Sequence, residues 1–143
     1  MYTDILLSID VTTESTWKKP LPTAVEYAKA FGARLHIMTV VPDFGMSIVG
    51  QYFPDGFEHK ALEDAQNALH EFSRDHVPDG IQLQHIVAHG RIYREVLRIA
   101  DEIKADLIVM AAHRPETGSA GLLGSNAERV VRHAASSVLV VRD

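Results

Sequence analysis

The chain has 143 residues, 46% of them hydrophobic and 23% charged, which is the size and composition of one globular domain with a core of its own. It contains no cysteine, which excludes disulfides, thiolate metal sites and thiol catalysis. A formal net charge of −5 argues against a general nucleic-acid or anionic-membrane binder, which carries a basic face. The opening Met1-Tyr2-Thr3-Asp4 has no basic stretch and does not read as a signal peptide. No apolar run approaches the roughly 20 residues that span a bilayer, so a cytoplasmic location is expected.

The first element is a short apolar run, Ile5 to Ile9, expected as a strand buried on both faces and closed by Asp10. Residues 10–22 are polar and read as a loop. Pro20 and Pro22 suit the first turn of a helix that runs to about Phe31, with Gly32 as its stop. Arg34 to Val41 is a second strand, ended by Pro42. Residues 43–56 hold Gly45, Gly50 and Pro54 among Phe44, Tyr52 and Phe53, and read as a mobile loop that could cover a ligand. A long helix is expected from about Phe57 to His76, with Ala61, Leu62, Ala65, Ala68, Leu69 and Phe72 as its apolar stripe.

After the turn Pro78-Asp79-Gly80, Ile81 to Ala88 alternates like a strand with one weaker face. Gly90 opens a turn into an amphipathic helix carrying Ile92, Val96, Leu97, Ile99, Ala100 and Ile103, capped at Lys104. Asp106 to Ala112 is a fourth buried strand, 113–123 a loop, Gly124 to Ala134 a helix and Ser137 to Arg142 a last strand. Strands alternating with helices predict an α/β fold, a mostly parallel sheet with helices on both faces. In such sheets ligands lie at the carboxyl ends of the strands. Attention therefore falls on Asp10, on Val40 and Val41, on Gly90, and on the segment after Met110.

Leu123-Gly124-Ser125-Asn126 at the start of a helix is the most informative motif. A glycine lets a phosphate approach the backbone. Ser125 and Asn126 are good N-cap types with polar donors, and the first turn of a helix attracts anions. An ordinary capped helix would look the same. His113 and Arg114 follow the fourth strand; arginine pairs with phosphate, and histidine stacks, donates or acts as a base. Either residue could equally be a solvated loop side chain. Asp10 is placed to accept ribose hydroxyls or hold a magnesium ion through water, or simply to cap its own turn. No P-loop, dinucleotide fingerprint, zinc pair or serine-hydrolase elbow is present.

The segment Leu122-Leu123-Gly124-Ser125-Asn126-Ala127 through Ala134, the closing Ser137 to Arg142, the opening Ile5 to Asp10, Val40-Val41-Pro42 and His89-Gly90 together resemble the universal stress protein family. Ala112-His113-Arg114-Pro115 is similar to a small bacterial subgroup of it. The resemblance implies a Rossmann-like three-layer fold with a five-stranded parallel sheet of order 3-2-1-4-5. It also implies homodimers paired through Ser137 to Arg142, and binding of ATP or another adenine nucleotide, with or without Mg2+. The family's Gly-x-x-Gly, nine residues, Gly-Ser motif is kept in spacing, but Ala111 and Arg114 stand where its first two glycines would be.

By the same resemblance, Ile9, Asp10 and Val11 would meet the ribose or adenine, and Val40 and Val41 would offer backbone groups to the adenine edge. Gly90 would let the ligand pass. Met110, Ala112, His113 and Arg114 would line the nucleoside and phosphate path, and Gly124, Ser125 and Asn126 would hold the phosphates. Two classes of function stay open: a nucleotide-binding stress sensor or regulator, and a slow ATPase or autokinase. A third reading is a dimeric interaction protein with no nucleotide.

Overall fold

The protein is described from a computed structural model, for residues 1–41, 57–112 and 123–142. Five strands form one parallel sheet: β1 (Asp4–Ser8), β2 (Arg34–Val41), β3 (Leu83–His89), β4 (Leu107–Ala111) and β5 (Ser137–Val141). Their order is β3-β2-β1-β4-β5, as the resemblance implies. Four helices join them: α1 (Pro20–Phe31), α2 (Phe57–His76), α3 (Ile92–Ile103) and α4 (Ser125–His133).

Side-chain alternation in the strands splits the core in two. On one face Ile5, Leu7 and Ile9 pack with Leu35, Ile37 and Val109 under α1 and α2. On the other, Leu6, Met38, Ile108 and Met110 pack with Val96 and Val130 under α3 and α4. A period of two along each buried strand produces this division, because successive side chains point to opposite faces. The most enclosed strands are β1 and β4, whose apolar residues from Ile5 to Leu7 and from Leu107 to Met110 are all buried. This explains why they read as continuous apolar runs.

The helices begin and end where local chemistry directs. The ring of Pro20 fills the first position of α1, where a missing N–H costs nothing. Lys104 closes α3 in a left-handed conformation, its N–H meeting the carbonyls of Ala100 and Asp101. The expected bounds of α1, β2, α2 and α3 are those observed. Four strands differ at their ends. β3 begins at Leu83, not Ile81, because Gln82 already turns its carbonyl to the Leu35 N–H ahead of the ladder. β1 ends at Ser8, β4 at Ala111 and β5 at Val141, each one residue short of expectation. Within the polar stretch 10–22 lies a single 3₁₀ turn, Glu14–Thr16.

The amino end of the sheet is closed by polar contacts. The Asp106 carboxylate accepts from the Thr3 and Asp4 N–H groups at 2.9 and 3.0 Å and from the Thr3 hydroxyl at 3.1 Å. These bonds outweigh the upward push of burial and hold its carboxyl below the ordinary range. Buried His36 bridges Asp4 and Gln84 across three strands. The carboxyl ends carry the opposite character: they are open. The chain leaves β1 toward α1 on one face and β4 toward α4 on the other, so a cleft forms between the two exits, as the switch-point rule requires.

Candidate functional site

The cleft has a volume of about 440 Å³, within the range of about 300–1,000 Å³ common for small-molecule sites. One wall is the end of β1 and the 3₁₀ turn, with Ser8, Ile9, Asp10, Thr13 and Thr16. The other is the end of β4 and the start of α4, with Met110, Ala112, Gly124, Ser125 and Asn126. Val40 of β2 and Ile92 of α3 close the remaining sides. A cavity of about 650 Å³ lies at the opposite end of the sheet, lined by Lys104, Asp106 and His133 to Ser137. It is larger, but the carboxyl ends of α3 and α4 border it, and their dipoles disfavour anions.

Gly124 sets the start of α4. Its φ of 90° and ψ of 156° belong to a region that only glycine occupies without strain. This residue, not Ser125 or Asn126, is the N-cap, and no side chain caps the helix. The reason is geometric: Ser125 already has helical backbone, so its hydroxyl cannot reach back over the first turn as an N-cap side chain does. The first bond of the ladder runs from the Glu128 N–H to the Gly124 carbonyl at 3.0 Å. The N–H groups of Ser125, Asn126 and Ala127 therefore lie ahead of the ladder, beside the cleft. That is the arrangement by which helix N-termini receive anions.

Asp10 faces this turn across the cleft, but its carboxylate is engaged. Oδ1 accepts from the Thr12 N–H at 3.0 Å and the Thr12 hydroxyl at 2.7 Å, and Oδ2 from the Thr13 hydroxyl at 2.9 Å. Partial burial pushes its pKa up, yet the hydrogen bonds from Thr12 and Thr13 prevail and hold it below the ordinary carboxylate range. The Thr16 hydroxyl completes the turn, accepting from the Asp10 N–H at 2.9 Å and donating to the Thr13 carbonyl at 2.7 Å. Asp10 thus builds the wall of the cleft through an Asx-type turn.

Ile9, Asp10, Val40, Met110, Ala112, Gly124, Ser125 and Asn126, all expected at the site, meet in this cleft. Three others do not line it. Val11 packs toward the α1 and α2 core, and its carbonyl accepts from the Trp17 indole at 3.2 Å. The Val41 carbonyl accepts from the Gly90 N–H at 2.9 Å. Gly90 itself faces Glu95: a Cβ there would sit 3.5 Å from the Glu95 Cγ. Val41 and Gly90 belong to the β2–β3 ladder, which the Gly90 N–H extends past its last pair, Val41 with His89. His113, Arg114 and the loop 43–56 lie outside the described residues.

The structure adds lining residues that the sequence reading passed over: Thr13 just before the 3₁₀ turn, Ser15 and Thr16 within it, and Ile92. The signal for the first three was a density of hydroxyls just after a strand-ending aspartate. Ile92 reads as part of an apolar stripe, yet it is 42% exposed, because it stands at the cleft lip and not over the sheet.

A family model for the universal stress protein family matches residues 1–142. Universal stress protein G of Escherichia coli O157:H7 is 33% identical over an alignment of 148 residues, covering 99% of this chain and all of that protein. Among solved structures, the hypothetical protein MJ0577 superposes with a TM-score of 0.74 at 24% identity, covering 100% of this chain and 97% of that one. The universal stress protein from Archaeoglobus fulgidus in complex with dAMP superposes with a TM-score of 0.65 at 19% identity, over 97% of each chain. A universal stress protein in complex with cAMP superposes at 0.63 and 24% identity, covering 99% of this chain and 97% of that one. With the model matched over nearly every residue and a relative at 33% identity along its whole length, the chain belongs to the universal stress protein family.

Proposed function

We propose that this protein binds an adenine nucleotide, ATP foremost, in the cleft between β1 and β4, and acts as a stress-response sensor or regulator. The carrying observation is the glycine-opened start of α4. Three N–H groups ahead of the helix ladder border a cleft of nucleotide size. Solved relatives in complex with cAMP and dAMP support the choice of an adenine nucleotide. In this reading Gly124, Ser125 and Asn126 receive phosphate. Ile9, Val40, Met110 and Ala112 form the nucleoside end, and Asp10 shapes the wall. Since Thr12 and Thr13 already occupy its carboxylate, Mg2+ would be held chiefly by the phosphates.

The protein further acts as a homodimer through β5. Val138, Leu139, Val140 and Val141 are half-buried in succession, and β5 is hydrogen-bonded on one side alone among the described residues. An apolar edge strand of this kind invites a second strand. Light scattering on the full chain should give twice the monomer mass, and Val140→Lys should halve it.

Isothermal titration with ATP, with and without Mg2+, tests the nucleotide reading. The expected result is dissociation in the micromolar range, weakened by Gly124→Ala. Absence of heat with ATP, AMP and cAMP would sink it. Phosphate release above background, abolished by Gly124→Ala, would make the protein an enzyme and not a sensor.

A further inference from the structure

The outer surface of α3 and α4 carries a cationic patch that the cleft does not use. Tyr93 of α3 stands at its centre and packs against the core beneath those helices. The guanidinium of Arg129, from α4, lies 4.7 Å from the centre of the Tyr93 ring. Arg94 donates from Nε to the Tyr93 hydroxyl at 3.0 Å. That hydrogen bond, then the charges of Arg94 and Arg129 and the contact with Arg91, hold the phenol below its ordinary range against the push of burial. All three arginines are exposed. None of the four side chains lines the cleft or the cavity at the opposite end of the sheet. They stand on open helix surface, where a small anion would lack the enclosure that small-molecule sites provide.

The charge of the patch is not met from within. On these two helices Glu95 and Glu102 both pair with Arg98, at 2.7 and 2.8 Å, and Glu128 pairs with Arg132 at 2.9 Å. Asp101 faces the cavity at the far end of α3. Among the described residues no acidic group forms an ion pair with Arg91, Arg94 or Arg129. In a chain of net charge −5, this is a local positive excess. The residue types matter as much as the sign. Arginine and tyrosine are enriched among the few side chains that carry most of the binding energy of protein interfaces. Tyr93 also holds Arg94 and Arg129 in place before any partner arrives, which lowers the entropic cost of engaging them.

We propose that Arg91, Arg94, Arg129 and Tyr93 form a docking surface for a carboxylate-rich segment of another protein. Charge complementarity names the occupant. Aspartate and glutamate side chains meet guanidiniums in forked, charge-assisted pairs. A nucleic-acid duplex or an anionic membrane would extend far past three arginines. The chain outside the patch is net negative and would repel that excess. A short acidic segment covers the patch and little else. At physiological salt the screening length is about 8 Å, so the attraction stays confined to the patch. This docking requires nothing in the cleft and stands whether or not a nucleotide binds there.

The test is fluorescence anisotropy of a fluorescein-labelled octaglutamate peptide titrated with the full chain at low salt. Three proteins are compared: wild type, Arg94→Gln/Arg129→Gln, and Lys18→Gln/Lys29→Gln, which removes the same charge from the opposite layer. Wild type should bind saturably, the arginine variant at least about tenfold more weakly, and the lysine variant within about twofold of wild type. Binding should fade as sodium chloride is raised. Unchanged circular dichroism and melting of the variants show that the fold is kept. Absence of binding below about 1 mM overturns the proposal, as does an equal loss in both variants, which would mark general charge attraction. Tighter binding of a short DNA duplex or of phosphatidylserine vesicles than of the peptide would assign the patch to nucleic acid or membrane instead. A larger mass by light scattering for wild type than for the arginine variant would make the occupant a second copy of this chain and overturn the assignment to another protein.

Discussion

Replacing Asp10 by alanine removes three accepted hydrogen bonds at once, two on Oδ1 and one on Oδ2. Bonds to a charged acceptor contribute about 1.5–3 kcal/mol each when shielded, and neutral ones about 0.5–1.5. Asp10 is exposed, so solvent screening reduces each to the low end of the neutral range, about 0.5–0.7 kcal/mol. A total of about 2 kcal/mol is the resulting expectation. With an unfolding entropy of about 2.1 cal/mol/K per residue, 143 residues give about 0.3 kcal/mol/K, and the melting temperature should fall by about 6–7 °C.

Asparagine keeps the shape and one acceptor oxygen. Its amide would face Thr13, whose hydroxyl can turn to accept. Asp10→Asn should therefore cost under about 1 kcal/mol, or about 2–3 °C. The pH dependence follows from the lowered pKa. A carboxyl whose folded pKa lies below its unfolded value stabilises fully above that unfolded value, and the stabilisation drains away as pH falls through the folded one. Calorimetry from pH 7 to pH 2 should show wild type and Asp10→Asn separated at neutral pH and converging in acid. If Asp10→Ala melts within 2 °C of wild type at pH 7 yet loses nucleotide binding, the turn-building account is wrong and the carboxylate works on the ligand.

Three other outcomes are expected. Gly124→Ala forces a side chain into a backbone region that favours glycine, at about 1–3 kcal/mol; melting should fall by about 3–10 °C, and ATP affinity by about tenfold. An unshifted melting curve would contradict the strain. Asp106→Ala should cost about 2 kcal/mol, speed amide exchange at Thr3 and Asp4, and lose its effect in acid, because the Asp106 carboxyl is also held low; unchanged exchange would refute the tether. Leu6→Ala, at a fully buried position beneath α3 and α4, should cost about 2–5 kcal/mol by urea titration. A loss below 1 kcal/mol would mean that this face of the core is loosely packed.

Much of this architecture is legible in the amino-acid order because its signals are local. Pro20 and Gly32 bracket α1, and the stripe from Ala61 to Phe72 specifies α2 without reference to anything distant. The β3 boundary is harder, since an edge strand is paired on one side and its alternation weakens: Gln82 and Gln84 read like the partners of Ile81 and Leu83. The glycine-opened turn at Gly124 is equally visible, being a property of four consecutive residues. What Asp10 does is not, because the choice between a ligand and the Thr12 and Thr13 hydroxyls is decided by the turn and not by residue type. Val41 and Gly90 were expected to face the site; they instead bond to each other, an outcome set by the register of β2 against β3. Arg129 and Tyr93 lie 36 residues apart and meet only through the packing of α3 on α4, so their cluster has no signature in either segment.

The division of the core by the sheet has a mechanical consequence. α1 and α2 rest on one hydrophobic body and α3 and α4 on another. The Asp10 turn leads into the first, while Gly124 opens an element seated on the second. A molecule lying in the cleft would touch the gateways of both and act as a rivet between two layers that otherwise share only the strands. Its occupancy would then be felt as a slower parting of the layers: amide exchange in α1 and α4 should slow together, although no side chain of one helix needs to reach the other.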